Sequence, residues 1–323
     1  MFEFWLYVFV TAGIYTIFSL GLMVQFGVAG LPNFGNGAFM AISAYAMAIL
    51  IVKLGMPMPV AAVLAIVASL IFGLLLALPT VRLRADYLAI ATIAASEIVR
   101  YLALNLQDLT GGAAGTVNIL GPGIAANYNT EWLHFMTWMR RWLSALLGFR
   151  ATSDLAMVVV VWPVAILLVC AVWYMVRSPW GRTLKAIRED QEAAAALGKS
   201  VFYYKLQAFL VGAAIAGLSG LFFAWEVSTF TPQDFLPVLT FYAFVIVLVG
   251  GKTNILAIPI GAIIFSVTYA GTRFLDFWPL TFFDSGERAF LRQVLVGLSL
   301  VLLVILRPQG IFGNKREDAF DDR

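Results

Sequence analysis

Few residues in this chain could do chemistry, and their spacing limits what kind. Glu97 and Arg100 stand three apart in an otherwise apolar run, so on a helix they share a face. An ion pair inside a lipid-crossing helix is costly, and marks either a path for a polar solute or a structural clamp. The pair neutralises itself, which favours the clamp. Facing a pore, it could instead meet the ammonium and carboxylate of a zwitterion. The only histidine, His134, has no serine, cysteine or acid pattern around it and reads as an interfacial residue. The only cysteine, Cys170, lies within an apolar run, so the chain can build neither an internal disulfide nor a thiolate metal site. Gly250-Gly251-Lys252-Thr253 has the last residues of a phosphate-binding loop, but the glycine required five residues before Gly251 is Ile246. It reads as a tight turn, and no ATP site follows from it. A membrane enzyme is the least supported class, because no set of residues is equipped to run a reaction.

The elements that must position these residues are membrane spans. The 323 residues are 62% hydrophobic and 12% charged, with a mean hydropathy of +0.90. Soluble domains carry roughly 25% charged residues. The apolar runs suit helices, and the alternation of an outer-membrane barrel is missing. The expected fold is all-α: a polytopic transmembrane helix bundle of about eight to ten spans. At about 20 residues per crossing, the runs near 5–26, 34–52, 58–79, 86–104, 155–176, 201–225, 236–251, 253–275 and 289–306 give nine. Glycines and asparagines between 27 and 37 suggest a broken start to the second span. The beginning, Met1-Phe-Glu-Phe-Trp5, lacks the positive region of a cleavable signal, so the first run is expected to be a retained span. Residues 1–312 are expected to form the membrane domain, with a periplasmic loop at 105–154, and 313–323 a cytoplasmic tail.

The basic residues orient this arrangement. With 177–205 on the cytoplasmic side, the C-terminus is also cytoplasmic and the N-terminus outside. Thirteen Lys and Arg then fall inside and six outside, as the positive-inside rule requires. The net charge of +3 is too small to suggest nucleic acid. Within 105–154, the stretch Glu131 to Leu147 places Trp132, Trp138 and Trp142 beside Arg140 and Arg141, which suits a helix in the headgroup region or over the periplasmic mouth. Small residues at four-residue spacing, Gly212, Ala216 and Gly220, with a second set at Ser69, Gly73 and Ala77, let helices approach closely in lipid. That seam could join subunits or lie within the chain.

Residues 182–198 are the one long, charge-dense stretch between apolar spans. After a basic half, Glu189, Asp190 and Glu192 lead into Ala193, Ala194, Ala195 and Ala196, and the run ends at Leu197-Gly198. Alanine favours helix and Gly198 can close it in a left-handed cap. A short helix with small side chains is shaped to enter a groove on a soluble partner; a solvated loop helix is the plain alternative.

Here the chain resembles a known family. Glu189 to Gly198 is similar to the cytoplasmic "E-A-A…G" loop of ABC-importer permeases, and Gly181 to Asp190 to its version in LivM-type permeases of branched-chain and hydrophobic amino-acid importers. Further marks recur in order: Phe26 to Phe39, Leu83 to Thr92, Glu97-Ile-Val-Arg100, Leu109 to Gly112, Val249-Gly-Gly251 and Arg307-Pro-Gln-Gly310. The chain departs from the family at Asn33-Phe-Gly-Asn36, where a histidine is frequent, and at Ala113-Ala-Gly115, where Pro-Asn-Gly is. The resemblance implies a multi-pass permease in the bacterial inner membrane, paired with a homologous second permease. It also implies two cytoplasmic ATPase subunits that bind ATP and magnesium, a periplasmic substrate-binding protein, and no cofactor in this chain. Coupling to the ATPases would fall to Arg188, Glu189, Asp190, Glu192, Ala193, Ala194, Ala195, Ala196, Leu197 and Gly198. The translocation path would include Asn33, Asn36, Ser96, Glu97 and Arg100. Neutral or branched-chain amino acids are the expected substrates; related permeases serve urea and short amides. An ion-coupled secondary carrier, with Glu97 as coupling group and Asn33 and Asn36 as an ion site, is the competing reading.

Overall fold

The computed structural model describes residues 2–119, 128–251 and 254–274, together with 294, 297, 298 and 301. The described residues are helical, with no strand among them. Six helices are long and apolar enough to cross a membrane. Helix α1 (Phe2–Leu22) runs on into a π-helical turn (Met23–Val28). Next come α2 (Asn36–Leu54), α3 (Met58–Thr80) and α4 (Ala85–Asn105). A short α5 (Gln107–Thr110) and a 3-10 turn (Gly112–Asn118) precede α6 (Thr130–Leu147). Then follow α7 (Ser153–Arg177), α8 (Pro179–Glu189), α9 (Gln191–Ala196) and α10 (Val201–Val227). These bounds lie within two residues of the expected ones for the second to sixth spans.

The expected pair of spans at 236–251 and 253–275 is different. Helices α11 (Val238–Gly250) and α12 (Ile258–Phe274) meet across a short break and are bent by 113°. The physical reason is visible in the sequence: α11 has 13 residues, or roughly 20 Å at 1.5 Å per residue, short of a ~30 Å hydrocarbon core. Gly251, at φ 106°, ends it. The pair is one broken span or a re-entrant loop, so the described residues hold six spans, or seven with the pair counted once. The expected span at 289–306, Arg307 to Gly310, the 313–323 tail and Lys252-Thr253 lie outside the described residues.

Helices α1 and α10 form the centre of the bundle. From Ala12 to Val28 nearly every residue of α1 and its π turn is buried, against α7, α10, α11 and α12. The small residues of α10 decide how it packs. The Gly212 carbonyl and Ala216 sit against Gly21 of α1, while Gly217 and Gly220 face Ser69 of α3 and the Met40–Ser43 turn of α2. Ser43 Oγ donates to the Gly217 carbonyl at 2.6 Å and Ser69 Oγ to that of Ala213 at 3.2 Å. Both small-residue seams foreseen from the sequence are therefore used within the chain. Helix α3 shows the logic of lipid: it buries Ala61, Ala65, Ser69, Gly73 and Ala77 and exposes Val63, Val67, Ile71 and Leu75. Lipid tails are as apolar as leucine, so close backbone approach, not leucine burial, selects the inward face.

The connections segregate to two ends. At one, residues 29–31, 83–88 and 187–192 meet. At the other, Glu131 Oε2 accepts from Met58 N at 2.8 Å, Thr116 N donates to the Phe230 carbonyl at 3.0 Å, and Tyr128 donates to the Ala224 carbonyl at 2.6 Å. There α6 divides its three tryptophans. Trp132 is buried, stacked on Trp225 at 4.3 Å and 10°, whereas Trp138 and Trp142 are exposed alongside Phe135 and Leu146.

Candidate functional site

The charged stretch after α7 folds as two helices rather than one. Asp190 is extended (φ −148°, ψ 104°), and its Oδ1 accepts from Glu192 N and Ala193 N, both at 2.9 Å. An aspartate in this conformation is an N-cap: it satisfies two amides that a new helix would otherwise leave open, so the chain breaks there. Helix α8 turns Gly181, Leu184 and Ile187 inward, and Trp180 Nε1 donates to Gln207 Oε1 of α10 at 2.9 Å. Helix α9 stands away from the bundle. Ala194 alone of its alanines faces inward, while Gln191, Glu192, Ala193, Ala195 and Ala196 are exposed. Gly198 closes the run at φ 78°, with Lys199 N donating to the Ala194 carbonyl at 3.1 Å. Leu197 is 81% exposed, more than any other large apolar side chain described, and it sits on a polar end of the bundle rather than a lipid face.

Beneath this element lies a cavity of about 360 Å³ lined by Ala29 to Leu31, Leu83 to Ala85, Leu88, Ile187 to Glu192 and Lys205. It holds both signs of charge: Arg84, Arg188 and Lys205 against Glu189, Asp190 and Glu192. Lys205 Nζ donates to Gln191 Oε1 at 3.0 Å. Arg188 reaches inward, and its Nη1 donates to the Gly27 carbonyl at 2.6 Å.

The π-helical turn that Arg188 touches runs on into a non-helical, largely buried segment at 29–35, which accounts for both asparagines. Asn33, fully buried, donates from Nδ2 to Gln25 Oε1 and accepts from Gly35 N, both at 2.8 Å. Gln25 Nε2 in turn donates to the Phe209 carbonyl of α10 at 2.9 Å. Phe34 N donates to Thr92 Oγ1 of α4 at 3.1 Å, and the Phe34 ring stacks on Phe244 of α11 at 4.3 Å. Asn36, also fully buried, donates from Nδ2 to the Phe18 carbonyl at 3.3 Å, and its Oδ1 has no partner. The broken start to the second span is thus a braced turn, its backbone groups met by side chains where lipid could not serve them.

On α4 the buried face is Leu88, Thr92, Ser96 and Ala103. Glu97 and Arg100 form the only ion pair among the described residues, with Arg100 Nη2 at 2.6 Å from Glu97 Oε2. The Arg100 side chain is 10% exposed and that of Glu97 28%. Arg100 Nη1 also reaches Gln233 Oε1 at 3.5 Å, and its guanidinium lies 4.5 Å from the Tyr101 ring centroid. The guanidinium therefore ties α4 to the 3-10 turn Pro232–Phe235 at the end opposite α9. The structure brings Asn33 and the Thr92–Ser96 face of α4 together through Phe34 and Gly35. Among the described residues, no hydrogen bond links Asn33 or Asn36 to Glu97 or Arg100. Sequence reasoning passed over Gln25 and Gln233; the one available signal was Gln25, an uncharged polar residue within 27 residues of apolar helix.

The family model for the permease component of the branched-chain amino acid transport system matches residues 4–305. The chain is 35% identical to the high-affinity branched-chain amino acid transport system permease protein LivM of Escherichia coli, over 94% of this chain and 68% of that protein. It is 25% identical to a probable branched-chain amino acid transport permease protein LivM of Methanocaldococcus jannaschii, over 94% and 91%. It is 24% identical to LivH of Salmonella typhimurium, a permease protein of the same named system, over 93% and 91%. No solved structure matches the chain. Its apolar helices, the capped element between α7 and α10 and these likenesses agree, and the chain belongs to the branched-chain amino acid transport permease family as a multi-pass, LivM-like membrane protein.

Proposed function

We propose that this chain is the permease subunit of an ATP-driven importer of neutral, branched-chain amino acids. ATP and magnesium bind to separate ATPase subunits, and this chain holds no cofactor. The observation that carries the reading is α9 with Leu197: a short, capped, outward-standing helix that ends on an exposed leucine. Closure of an ATPase dimer would press on α9, and the permeases would rock between outward and inward access. The likeness to both LivM and LivH supports pairing with a homologous second permease rather than with a copy of itself. The basic side chains support an inner-membrane orientation with α9 cytoplasmic: among the described side chains, eight cluster at the α9 end (Arg82, Arg84, Arg177, Arg182, Lys185, Arg188, Lys199, Lys205) and five at the other (Lys53, Arg100, Arg140, Arg141, Arg150). A periplasmic binding protein would then dock at the α6 end. On the path, Glu97 and Arg100 offer a partly exposed charge pair suited to a zwitterion, and Asn33, Asn36 and Ser96 support the wall behind it.

The test is a crosslink and a substitution. Ala195→Cys, on the exposed face, in a Cys170→Ser background should crosslink to an ATPase subunit, and Gly198→Trp should separate ATP hydrolysis from uptake. Uptake that survives ATP depletion and follows a sodium or proton gradient would overturn the reading in favour of an ion-coupled carrier.

A further inference from the structure

We infer that Arg188 is a positioning residue that relays movement of the α8–α9 lever into the bundle through the 23–35 turn, and does not itself face the ATPase. The inference rests on the proposed coupling role and adds where the force goes. The π-helical end of α1 leaves carbonyls without helical partners. Ala29 N, Gly30 N and Leu31 N return to Val24, Phe26 and Gln25, and the Gly27 carbonyl receives Arg188 Nη1 at 2.6 Å. A cation at a helix C-terminus is also favoured by the aligned carbonyl dipoles. The contact is more than one hydrogen bond. Gly30 adopts φ 68°, and a Cβ there would stand 2.7 Å from Arg188 Cγ, so the stem of the arginine lies flat on the turn.

From that point the turn reaches three helices. Phe34 N on Thr92 Oγ1 and Gly35 against the Thr92 backbone reach α4; Gln25 on the Phe209 carbonyl reaches α10; Phe34 on Phe244 reaches α11. Each link is short and at least partly buried, so a displacement at Gly27 passes into packed helices. Ser96 and Glu97 follow Thr92 by one turn of α4. The lever thus has a packed route to the helix that carries the charge pair. A single π turn in an otherwise α-helical span is a frequent mark of such a functional joint. The other polar anchors of the lever end on α10 and α7: Trp180 on Gln207, Gln191 with Lys205, and Arg182 on the Arg177 carbonyl.

The test uses the full permease–ATPase complex in proteoliposomes, reading substrate taken up per ATP hydrolysed. Arg188→Met keeps the stem and removes the donors; it should lower that ratio at least fivefold while the ATPase subunits still co-purify. Arg188→Lys should restore most of it, because one donor to one carbonyl is all the contact needs. Gly30→Ala, which displaces the stem, should resemble Arg188→Met. Thr92→Val, further along the route, should lower the ratio too, and the double variant with Arg188→Met should be no worse than the worse single, since residues on one route do not add. An unchanged ratio in Arg188→Met, lost co-purification in that variant, or multiplicative losses in the double variant would overturn the relay alone. A wild-type complex without ATP-dependent uptake would overturn the functional reading and the relay with it.

Discussion

Substituting Gly21 by alanine probes the contact on which the bundle is built. A Cβ at Gly21 would stand 2.6 Å from the Gly212 carbonyl oxygen, 3.0 Å from Ala216 N and 3.3 Å from Ala216 Cβ. Ordinary contact begins near 3.4 Å, so α1 and α10 must part by about 0.8 Å. One turn on, Gln25 Nε2 donates to the Phe209 carbonyl at 2.9 Å. The same displacement stretches that bond beyond hydrogen-bonding distance. Inserting a methyl group into a packed seam costs about 1–3 kcal/mol, and a hydrogen bond between membrane helices averages about 0.6 kcal/mol. The expected loss is therefore about 2–3 kcal/mol. At roughly 2 °C per kcal/mol for a chain of this size, thermal unfolding in detergent should fall by about 4–6 °C. Leu167→Ala, on the exposed face of α7, serves as the control and should cost under about 0.5 kcal/mol. Adding Ala216→Gly removes the mildest of the three contacts and should recover less than half of the loss. A Gly21→Ala protein melting within about 1 °C of wild type would refute the argument, because the carbonyl of Gly212 could not then stand where the seam requires it.

Asn33→Ala should lower stability by roughly 2–4 kcal/mol, since Gln25 Oε1 and Gly35 N both lose a buried partner. If uptake changes while unfolding does not, Asn33 serves the solute and the bracing account fails. Arg100→Met should cost about 3 kcal/mol by leaving the Glu97 carboxylate unpaired. The further change Glu97→Gln should return more than half of that in a thermal melt, and a double variant as unstable as the single would contradict the pairing. Trp132→Ala removes the stack on Trp225 and should free α6, at about 3–5 kcal/mol. Faster protease cleavage around residues 148–152 reports it, and unchanged cleavage would show that α6 is held elsewhere.

The sequence by itself determined that this chain crosses a membrane as helices, because the length and apolarity of a run are local properties. It also determined where the 182–198 element ends, because Gly198 carries its left-handed cap in its own identity. The family, too, was legible in short motifs. Only the tertiary structure decided three things that depend on what lies opposite. The seam at Gly212, Ala216 and Gly220 faces α1, α2 and α3 and not another subunit, which spacing alone could not tell. The runs at 236–251 and 253–275 have the composition of two spans, but their lengths and the glycines between them make one bent pair. Asn33 and Arg188 have partners that spacing could not name: Gln25 and Gly35 N for the one, the Gly27 carbonyl for the other. A side chain's type sets which bonds it can make, and the distant chain segment packed against it sets which of them it does make.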